Sequence, residues 1–540
     1  MQTDAHQENA SFWVPLFVVV LGAFAAILNN SSVNVAIPKM MSIFGANTDE
    51  IQWVLTAYML TSGVVIPVTG FLGDYLGSRR LYIIALGVFT AGSFLCSISL
   101  GLNTMIAARV VQGIGGGVIM PVSMAIIYKI VPRQKIGMAL GVWGVSAVAA
   151  PAVGPTLGGY VIDHLSWRFL FTMNIPVGVL GLILALLLLP GGDRQPDRKP
   201  DFWGFALSTG GCFALLLALS EAHKDGWGSQ FIVTLLATGF AALILFVLVE
   251  LNIEQPMLEL RTLKNPVFSL SILAASLNTM GLFGGVFLMP LFTQNLMGLT
   301  PMQTGLLLMP SAIATALTMP VAGFLFDRLG AVVPGVVGLS IAALGTWELH
   351  NLSLATSYRH IQMIMVVRAL GIGLAMMPIT TAGMNTVSRA LVGQASALSN
   401  VCRQIAASFG IALLTSILQQ RQYFHSVRLA EAVTFSSPLA HGVLQEIALL
   451  LGGGFPGNQR ALTVIYGLTQ REAFVRAIDD TFMVAAVFVA VAVPMVMFLH
   501  SSHKARREPP RPPGPPKAAD VPAGVSGPSL PAGAGSGARL

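Results

Sequence analysis

The chain has 540 residues, of which 54% are hydrophobic and 10% are charged, and its formal net charge is +7. Soluble domains carry roughly one quarter charged residues, so this composition excludes an ordinary soluble protein and indicates a polytopic membrane protein. The basic residues are spread over short loops rather than gathered in one patch, which argues against a nucleic-acid partner.

Hydropathy in windows of about twenty residues predicts an all-α polytopic membrane protein with about fourteen transmembrane helices. The predicted segments lie near residues 13–37, 51–72, 80–100, 104–127, 137–160, 167–189, 202–221, 229–252, 266–291, 301–324, 331–352, 358–381, 396–419 and 478–500. Cys96, Cys212 and Cys402 fall inside these segments without disulfide or metal-binding spacing, so we expect no metal and no cofactor.

Basic residues distinguish two sets of loops. One set carries most of them, including Arg79, Arg80, Lys129, Arg133, Lys135, Arg194, Arg198, Lys199, Arg261, Lys264, Arg328 and Arg389. The other set carries only Lys39, Arg168, Lys224 and Arg359. The positive-inside rule therefore places the first set, the segment 1–12 and both termini in the cytoplasm, as for a bacterial inner-membrane protein.

The first segment contains a cluster of amides and hydroxyls that includes Asn29, Asn30 and Asn34. Lipid cannot satisfy such groups, so they face protein or water. They belong either to a substrate cavity, together with Trp53 and Tyr58 of the second segment, or to hydrogen bonds between helices.

A short loop after the second segment has an unusual pattern of glycine, acid and paired arginine. Gly70, Asp74, Gly77, Arg79 and Arg80 compose it. The glycines permit a tight turn, and Asp74 either pairs with an arginine or meets the positive N-terminal end of a neighbouring helix. We interpret the loop as a charge latch that opens and closes.

The fourth segment carries Arg109, followed by Gln112 and a glycine-rich run. A cation inside a membrane segment is costly and marks a functional site.

The fifth segment combines prolines and small residues. Gly154, Gly158 and Gly159 provide a face on which another backbone can pack closely, and Pro151 and Pro155 leave backbone carbonyls without intrahelical donors. The pattern predicts a kinked helix at a cavity wall or an ordinary tight helix contact.

The layout of the first half recurs later in the chain. Asp327 follows the tenth segment as Asp74 follows the second, and Arg368 lies in the twelfth as Arg109 lies in the fourth. Residues 13–189 and 266–500 therefore read as two six-helix repeats, with a linker and two inserted helices at 190–265. Parallel six-helix repeats are typical of transporters that alternate access to a central site.

Three further features lie in the second repeat and after it. The ninth segment offers amides and soft apolar groups for the substrate cavity, although a lipid-facing stripe is the alternative. Its residues are Asn278, Met280, Phe283, Phe287 and Gln294. In the thirteenth, Arg403 either joins the Asp74 latch or extends to the membrane surface. Residues 420–475 form a predicted long outer loop, and 501–540 a disordered cytoplasmic tail.

Together, the Asp74 loop, Arg109 with the run from Gln112 to Gly115, and the stretch 150–159 resemble signatures of the major facilitator superfamily. The closest resemblance is to its fourteen-helix drug:proton antiporter family of EmrB-like multidrug exporters. This resemblance implies a major facilitator fold, proton coupling through Arg109 and helix-five geometry set by Gly154 and Pro155. Asn29 stands where many relatives have an aspartate, and since an amide carries no proton, Asp163, Glu348, Asp479 and Asp480 are the other candidates.

The implied function is proton-driven export of amphipathic, often cationic, toxic compounds, with lipid, protons and drugs as partners. In a cell with two membranes, a periplasmic adaptor and an outer-membrane channel are also implied. Export of one metabolite, such as a fatty acid, siderophore or antibiotic, is the nearest alternative, and a non-translocating sensor is a further one. No nucleotide-binding or catalytic motif occurs in the sequence, so we expect no enzyme.

Overall fold

A computed structural model describes residues 12–132, 135–191, 201–432, 438–452 and 454–499. All regular elements within these ranges are helices. They are α1 (Trp13–Phe44), α2 (Thr48–Tyr75), α3 (Ser78–Ser97), α4 (Leu102–Ile130), α5 (Ile136–His164), α6 (Phe169–Leu188), α7 (Phe202–Asp225), α8 (Gln230–Asn252), α9 (Pro266–Leu296), α10 (Pro301–Leu329), α11 (Val332–Glu348), α12 (Tyr358–Met384), α13 (Val392–Ala432), α14 (Pro438–Leu450) and α15 (Gly454–Met497).

Fourteen helices of the described chain, all except α14, are long and apolar enough to cross a membrane, which confirms the number predicted from hydropathy. Most of the predicted linker, residues 192–200, and the predicted tail at 501–540 lie outside the described residues.

The region expected to be an outer loop, residues 420–475, is mostly helical. Helix α13 continues to Ala432, α14 follows, and α15 begins at Gly454. An ion pair and a hydrogen-bond contact join this part of α13 to α15, since Asp480 Oδ2 lies 2.6 Å from both Arg421 Nε and His425 Nε2. Arg421 and His425 therefore have a structural role that the loop prediction missed.

The six helices at each end of the chain meet mainly along two helix pairs. Helix α5 packs on α10, and α2 packs on α13. The two contacts are equivalent in the sequence repeat, because α10 corresponds to α2 and α13 corresponds to α5. The inserted helix α7 packs against both α2 and α13. We call the end of the bundle with the turn after α2 the Asp74 end, and the other the opposite end.

The two repeat-related turns share their backbone geometry. Each turns at a glycine three residues after the aspartate, Gly77 with φ +86° and Gly330 with φ +81°. Residues with a side chain rarely adopt positive φ, so glycine is required at both turns.

Helix α9 is irregular where it approaches the centre of the molecule. Two π-helical segments, Gly284–Leu288 and Phe292–Leu296, interrupt it. Such segments release backbone groups from the regular ladder and are frequent at functional sites.

Candidate functional site

Gly154 and Gly158 of α5 face α1. A side chain added at Gly154 would collide with Ser31, and a Cβ at Gly158 would lie 2.8 Å from the carbonyl oxygen of Ser32. The backbones of the two helices therefore approach closely because glycine occupies these positions. Gly159 faces away from α1, and a Cβ there would lie 3.6 Å from Met302 of α10.

The prolines of α5 leave a carbonyl that another helix satisfies. Pro155 has no N–H to donate to the carbonyl of Pro151 one turn earlier. The hydroxyl of Ser31 on α1 donates to that oxygen over 2.9 Å. Pro151 and Pro155 also line a cavity. The segment therefore makes a tight contact with α1 and also contributes to a cavity wall.

A cavity of about 470 Å³ lies between the two repeats, and we call it the central cavity. Helices α1 and α5 of the first repeat and α9, α10 and α12 of the second contribute its lining. Its volume falls within the roughly 300–1,000 Å³ of small-molecule sites.

Only some of the predicted cavity residues line this space. Asn34, Phe287 and Gln294 do so. Among the described lining residues, six predicted members are missing: Asn30, Trp53, Tyr58, Asn278, Met280 and Phe283. Tyr58, Asn278 and Met280 are buried within the helical packing instead. Hydropathy places these side chains in the membrane but does not say which face of each helix meets the other repeat.

Arg109 is fully buried within the first repeat and is absent from the described lining of the central cavity. Its Nε donates to the carbonyl of Val54 on α2 over 2.8 Å, and its Nη1 donates to Gln112 Oε1 over 2.7 Å. The guanidinium also lies 4.3 Å from the ring centroid of Tyr58. Gln112 Nε2 continues the network to Ser93 Oγ on α3 over 2.8 Å. Arg109 thus links α2, α3 and α4 through one network.

The candidate proton-carrying residues are not gathered at the central cavity. Asn29 is fully buried, and its Oδ1 accepts a 2.9 Å hydrogen bond from Asn174 Nδ2 of α6. Asp163 and Glu348 are exposed near helix ends. Asp480 contacts Arg421 and His425 of α13.

Asp74 connects the first repeat to the second at the Asp74 end. It is 6% exposed, and its Oδ2 accepts a 2.9 Å hydrogen bond from Gln394 Nε2 near the start of α13. Gln394 Oε1 in turn accepts from the backbone N–H of Glu259 over 2.9 Å. A Cβ at Gly70 would lie 3.1 Å from the Cα of Gln394, so the backbones of α2 and α13 nearly touch here.

The second repeat makes the corresponding contact. Asp327 Oδ1 would lie 2.9 Å from a Cβ at Gly137, in the first turn of α5, and Gly323 packs directly on Gly137. Asp74 and Asp327 lie in the last turns of α2 and α10 rather than in loops. Each therefore sits beside the first turn of a helix in the other repeat, where the helix dipole favours a negative charge.

The arginines assigned to the latch lie elsewhere. Arg79 donates to the carbonyl of Leu186 at the end of α6, and Arg80 is exposed. Arg403 donates to Asn400 Oδ1 over 2.6 Å. It lies nine residues beyond Gln394, or about 13.5 Å along the helix axis, so Gln394 rather than Arg403 meets Asp74. Arg403 is the predicted partner of Asp74 because it lies near the membrane-surface end of its segment. No sequence feature indicates Gln394.

We expect Gln394→Ala to slow transport without removing substrate binding. A hydrogen bond to a charged group contributes about 1.5–3 kcal/mol, so its loss should destabilise the state closed at the Asp74 end by roughly tenfold or more. Initial transport rates and equilibrium binding of reconstituted protein measure the two effects separately. Gln420→Ala, on an exposed position of the same helix, is the matched control. An unchanged rate in Gln394→Ala would exclude the latch.

A second cavity, of about 490 Å³, lies between α2, α7 and α13. Its described lining is uncharged and includes Gln404, Ser408 and Gln419 of α13. Phe287 and Leu291 of α9 line both cavities. The inserted helix α7 therefore covers a gap between α2 and α13.

Comparison with known proteins agrees with this architecture. A family model described as Major Facilitator Superfamily matches residues 19–411. The chain is 36% identical over 504 residues to the uncharacterized MFS-type transporter YhcA of Bacillus subtilis (strain 168), covering 92% of this chain and 95% of that protein.

Two further similarities concern function and fold separately. The chain is 31% identical to a multidrug resistance protein B homolog of Mycobacterium tuberculosis (strain ATCC 25618 / H37Rv), over 77% of each chain. The crystal structure of the human organic anion transporter MFSD10 (TETRAN) has a TM-score of 0.58 at 13% identity, covering 91% of this chain and 99% of that one, which shows the fold alone. Proteins of this family are transporters and not enzymes. The chain belongs to the major facilitator superfamily.

Proposed function

We propose that the protein exports small amphipathic compounds, including drugs, from the cytoplasm by alternating access driven by a proton gradient. The observation that carries the proposal is a cavity of small-molecule size between the two repeats. Near the Asp74 end, Gly137 meets Gly323 and Asp74 meets Gln394, and the central cavity lies between the same repeats farther along the helices. A site between two six-helix repeats is the arrangement of a transporter that alternates access.

Three further assignments belong to this proposal. The distribution of basic residues supports a bacterial inner-membrane location in which the Asp74 end and both termini face the cytoplasm. The central cavity then binds substrate in the outward-facing state. The contacts of Asp74 and Asp327 with the other repeat open when the cavity faces the cytoplasm. In a cell with two membranes, a periplasmic adaptor and an outer-membrane channel would receive the substrate.

The relative named for multidrug resistance supports a broad substrate range. Soft lining groups such as Phe287, Leu308 and Met365 support it as well, since adaptable apolar surfaces accept varied ligands. Export of a single metabolite remains the second candidate, favoured by the small set of polar groups at fixed positions in the cavity. Paired latches between the repeats argue against a static sensor.

Gradient-driven transport by purified protein tests the proposal. Proteoliposomes with an imposed pH gradient receive a panel of fluorescent anions, neutral compounds and cations such as ethidium. We expect at least one class to accumulate and the accumulation to collapse when a protonophore dissipates the gradient. Empty liposomes and a protein-containing sample without a gradient are the controls. If substrate movement does not depend on the pH gradient but follows a sodium gradient, sodium replaces the proton as the coupling ion in the proposal.

A further inference from the structure

The described lining of the central cavity contains one charged side chain. Arg368 of α12 is 4% exposed and forms part of the cavity wall. It lies ten residues after Tyr358, where α12 begins, or about 15 Å along the helix axis. Since the hydrocarbon core is about 30 Å thick, this position is near its middle.

Two nitrogens of the guanidinium are held by the protein. Nε donates to Thr346 Oγ1 over 2.9 Å, and Nη2 donates to the carbonyls of Gly281 and Leu282 over 2.9 and 3.1 Å. These carbonyls lie where α9 passes from α-helical to π-helical geometry at Gly284. The transition leaves carbonyl oxygens with spare accepting capacity, and Arg368 uses it.

The third nitrogen, Nη1, is offered to the cavity. A Cβ at Gly285 would collide with Nη1, and Gly285 itself lines the cavity. Within the described ranges, Nη1 forms no hydrogen bond with the protein. A guanidinium has five N–H donors, so the two on Nη1 remain available to a ligand.

Among the described lining residues, no carboxylate offsets this charge. Among the described residues of the wall, Arg368 is the one charged residue. The polar members are uncharged and include Ser31, Asn34, Gln294, Asn295, Thr304 and Ser311. A buried cation without a counterion is costly, and a bound anion lowers that cost whereas a bound cation raises it.

The repeat supplies an internal comparison. Arg109 occupies the corresponding position in the first repeat, but Gln112, the Val54 carbonyl and the Tyr58 ring surround its guanidinium. A structural arginine can thus be enclosed at this position of the fold. The exposure of Arg368 Nη1 to a cavity is therefore a property of the second repeat.

We propose that Arg368 binds the acidic group of an amphipathic organic carboxylate in the central cavity. Nη1 donates charge-assisted hydrogen bonds to a carboxylate oxygen, and the apolar wall formed by residues such as Phe287 and Leu308 receives the hydrophobic body. This inference names the substrate class of the proposed exporter and rests on that function for its physiological meaning. It also changes the expectation of often cationic substrates, because a cation would meet the like charge of Arg368.

Binding of a matched probe series tests the inference without any gradient. The probes are 11-(dansylamino)undecanoic acid, its methyl ester, and the analogue that carries a terminal amine. Fluorescence titration uses full-length protein in nanodiscs of zwitterionic lipid, with empty nanodiscs subtracted. We expect the carboxylate to bind at least about tenfold tighter than the ester, as for a hydrogen bond between charged groups, and the amine to bind most weakly.

Variants assign the preference to Arg368. Arg368→Gln should bind the carboxylate and the ester equally, and Arg368→Lys should retain part of the difference. Gly285→Ala keeps the charge but displaces Nη1, so it should also weaken carboxylate binding. Arg359→Gln, the same change at an exposed position of α12, is the matched control and should behave as the parent protein.

Each result has a definite meaning. If the parent protein binds the amine as tightly as the carboxylate, the inference is wrong. A carboxylate preference that survives in a folded Arg368→Gln variant also overturns it. If Arg368→Gln does not fold, the parent series and Gly285→Ala still decide. Failure of gradient-driven transport with an intact carboxylate preference would instead refute the export proposal alone.

Discussion

Oxidation of a Gly70→Cys/Ala397→Cys variant is expected to stop transport completely, and reduction to restore it. A Cβ at Gly70 would lie 3.4 Å from the Cβ of Ala397. Disulfides join Cβ atoms roughly 3.5–4.5 Å apart, so a crosslink should form with little movement of α2 or α13. It would hold the Asp74 end closed and prevent the inward-facing half of the cycle.

The measurement is substrate accumulation in proteoliposomes before and after oxidant, followed by reductant. Cys96, Cys212 and Cys402 are first replaced by alanine, so that only the new pair can react. The two single-cysteine variants are controls and should transport equally with and without oxidant. Full transport by the crosslinked protein would mean that α2 and α13 do not separate during the cycle.

Arg109→Ala is expected to lose most gradient-driven accumulation while substrate exchange persists. The substitution removes a buried cation that joins α2, α3 and α4 through Val54, Gln112 and Ser93. Hydrogen bonds to charged groups contribute about 1.5–3 kcal/mol each, so accumulation should fall by tenfold or more. Comparing accumulation with counterflow exchange separates loss of coupling from loss of the substrate site.

Arg109→Lys refines that experiment because it keeps the charge without the planar fork of donors. We expect intermediate accumulation, since one ammonium cannot reproduce the bonds to both the Val54 carbonyl and Gln112. Arg359→Ala, at an exposed position, is the control for removing an arginine. Normal accumulation by a correctly inserted Arg109→Ala protein would remove Arg109 from the coupling mechanism.

The two repeat-related arginines illustrate the limit of the sequence. The pattern around Arg109 and Arg368 marks both as cations inside membrane helices, and a membrane cation indicates function. Their environments differ because Gly285 and the π-helical segment of α9 open a space at Arg368, whereas Tyr58 covers Arg109. Sequence patterns do not report this difference in environment. They favour Arg109 and do not identify Arg368 as the residue at the central cavity.

The sequence by itself determined the features that depend on neighbouring residues. Long apolar segments require helices in lipid, so the number of membrane helices was predictable. The repeat, the turns at Gly77 and Gly330, and the close packing of α5 at Gly154 followed from local spacing and from the conformational freedom of glycine.

Only the tertiary structure decided which groups meet across the two repeats. Asp74 meets Gln394, which is 320 positions away, and the Pro151 carbonyl is satisfied by Ser31, 120 positions away. Such pairings depend on how helices rotate and tilt against one another, and in lipid these are set by packing rather than by the hydropathy of single segments. The same packing decides that the described lining of the central cavity contains one cation, Arg368, and no acid.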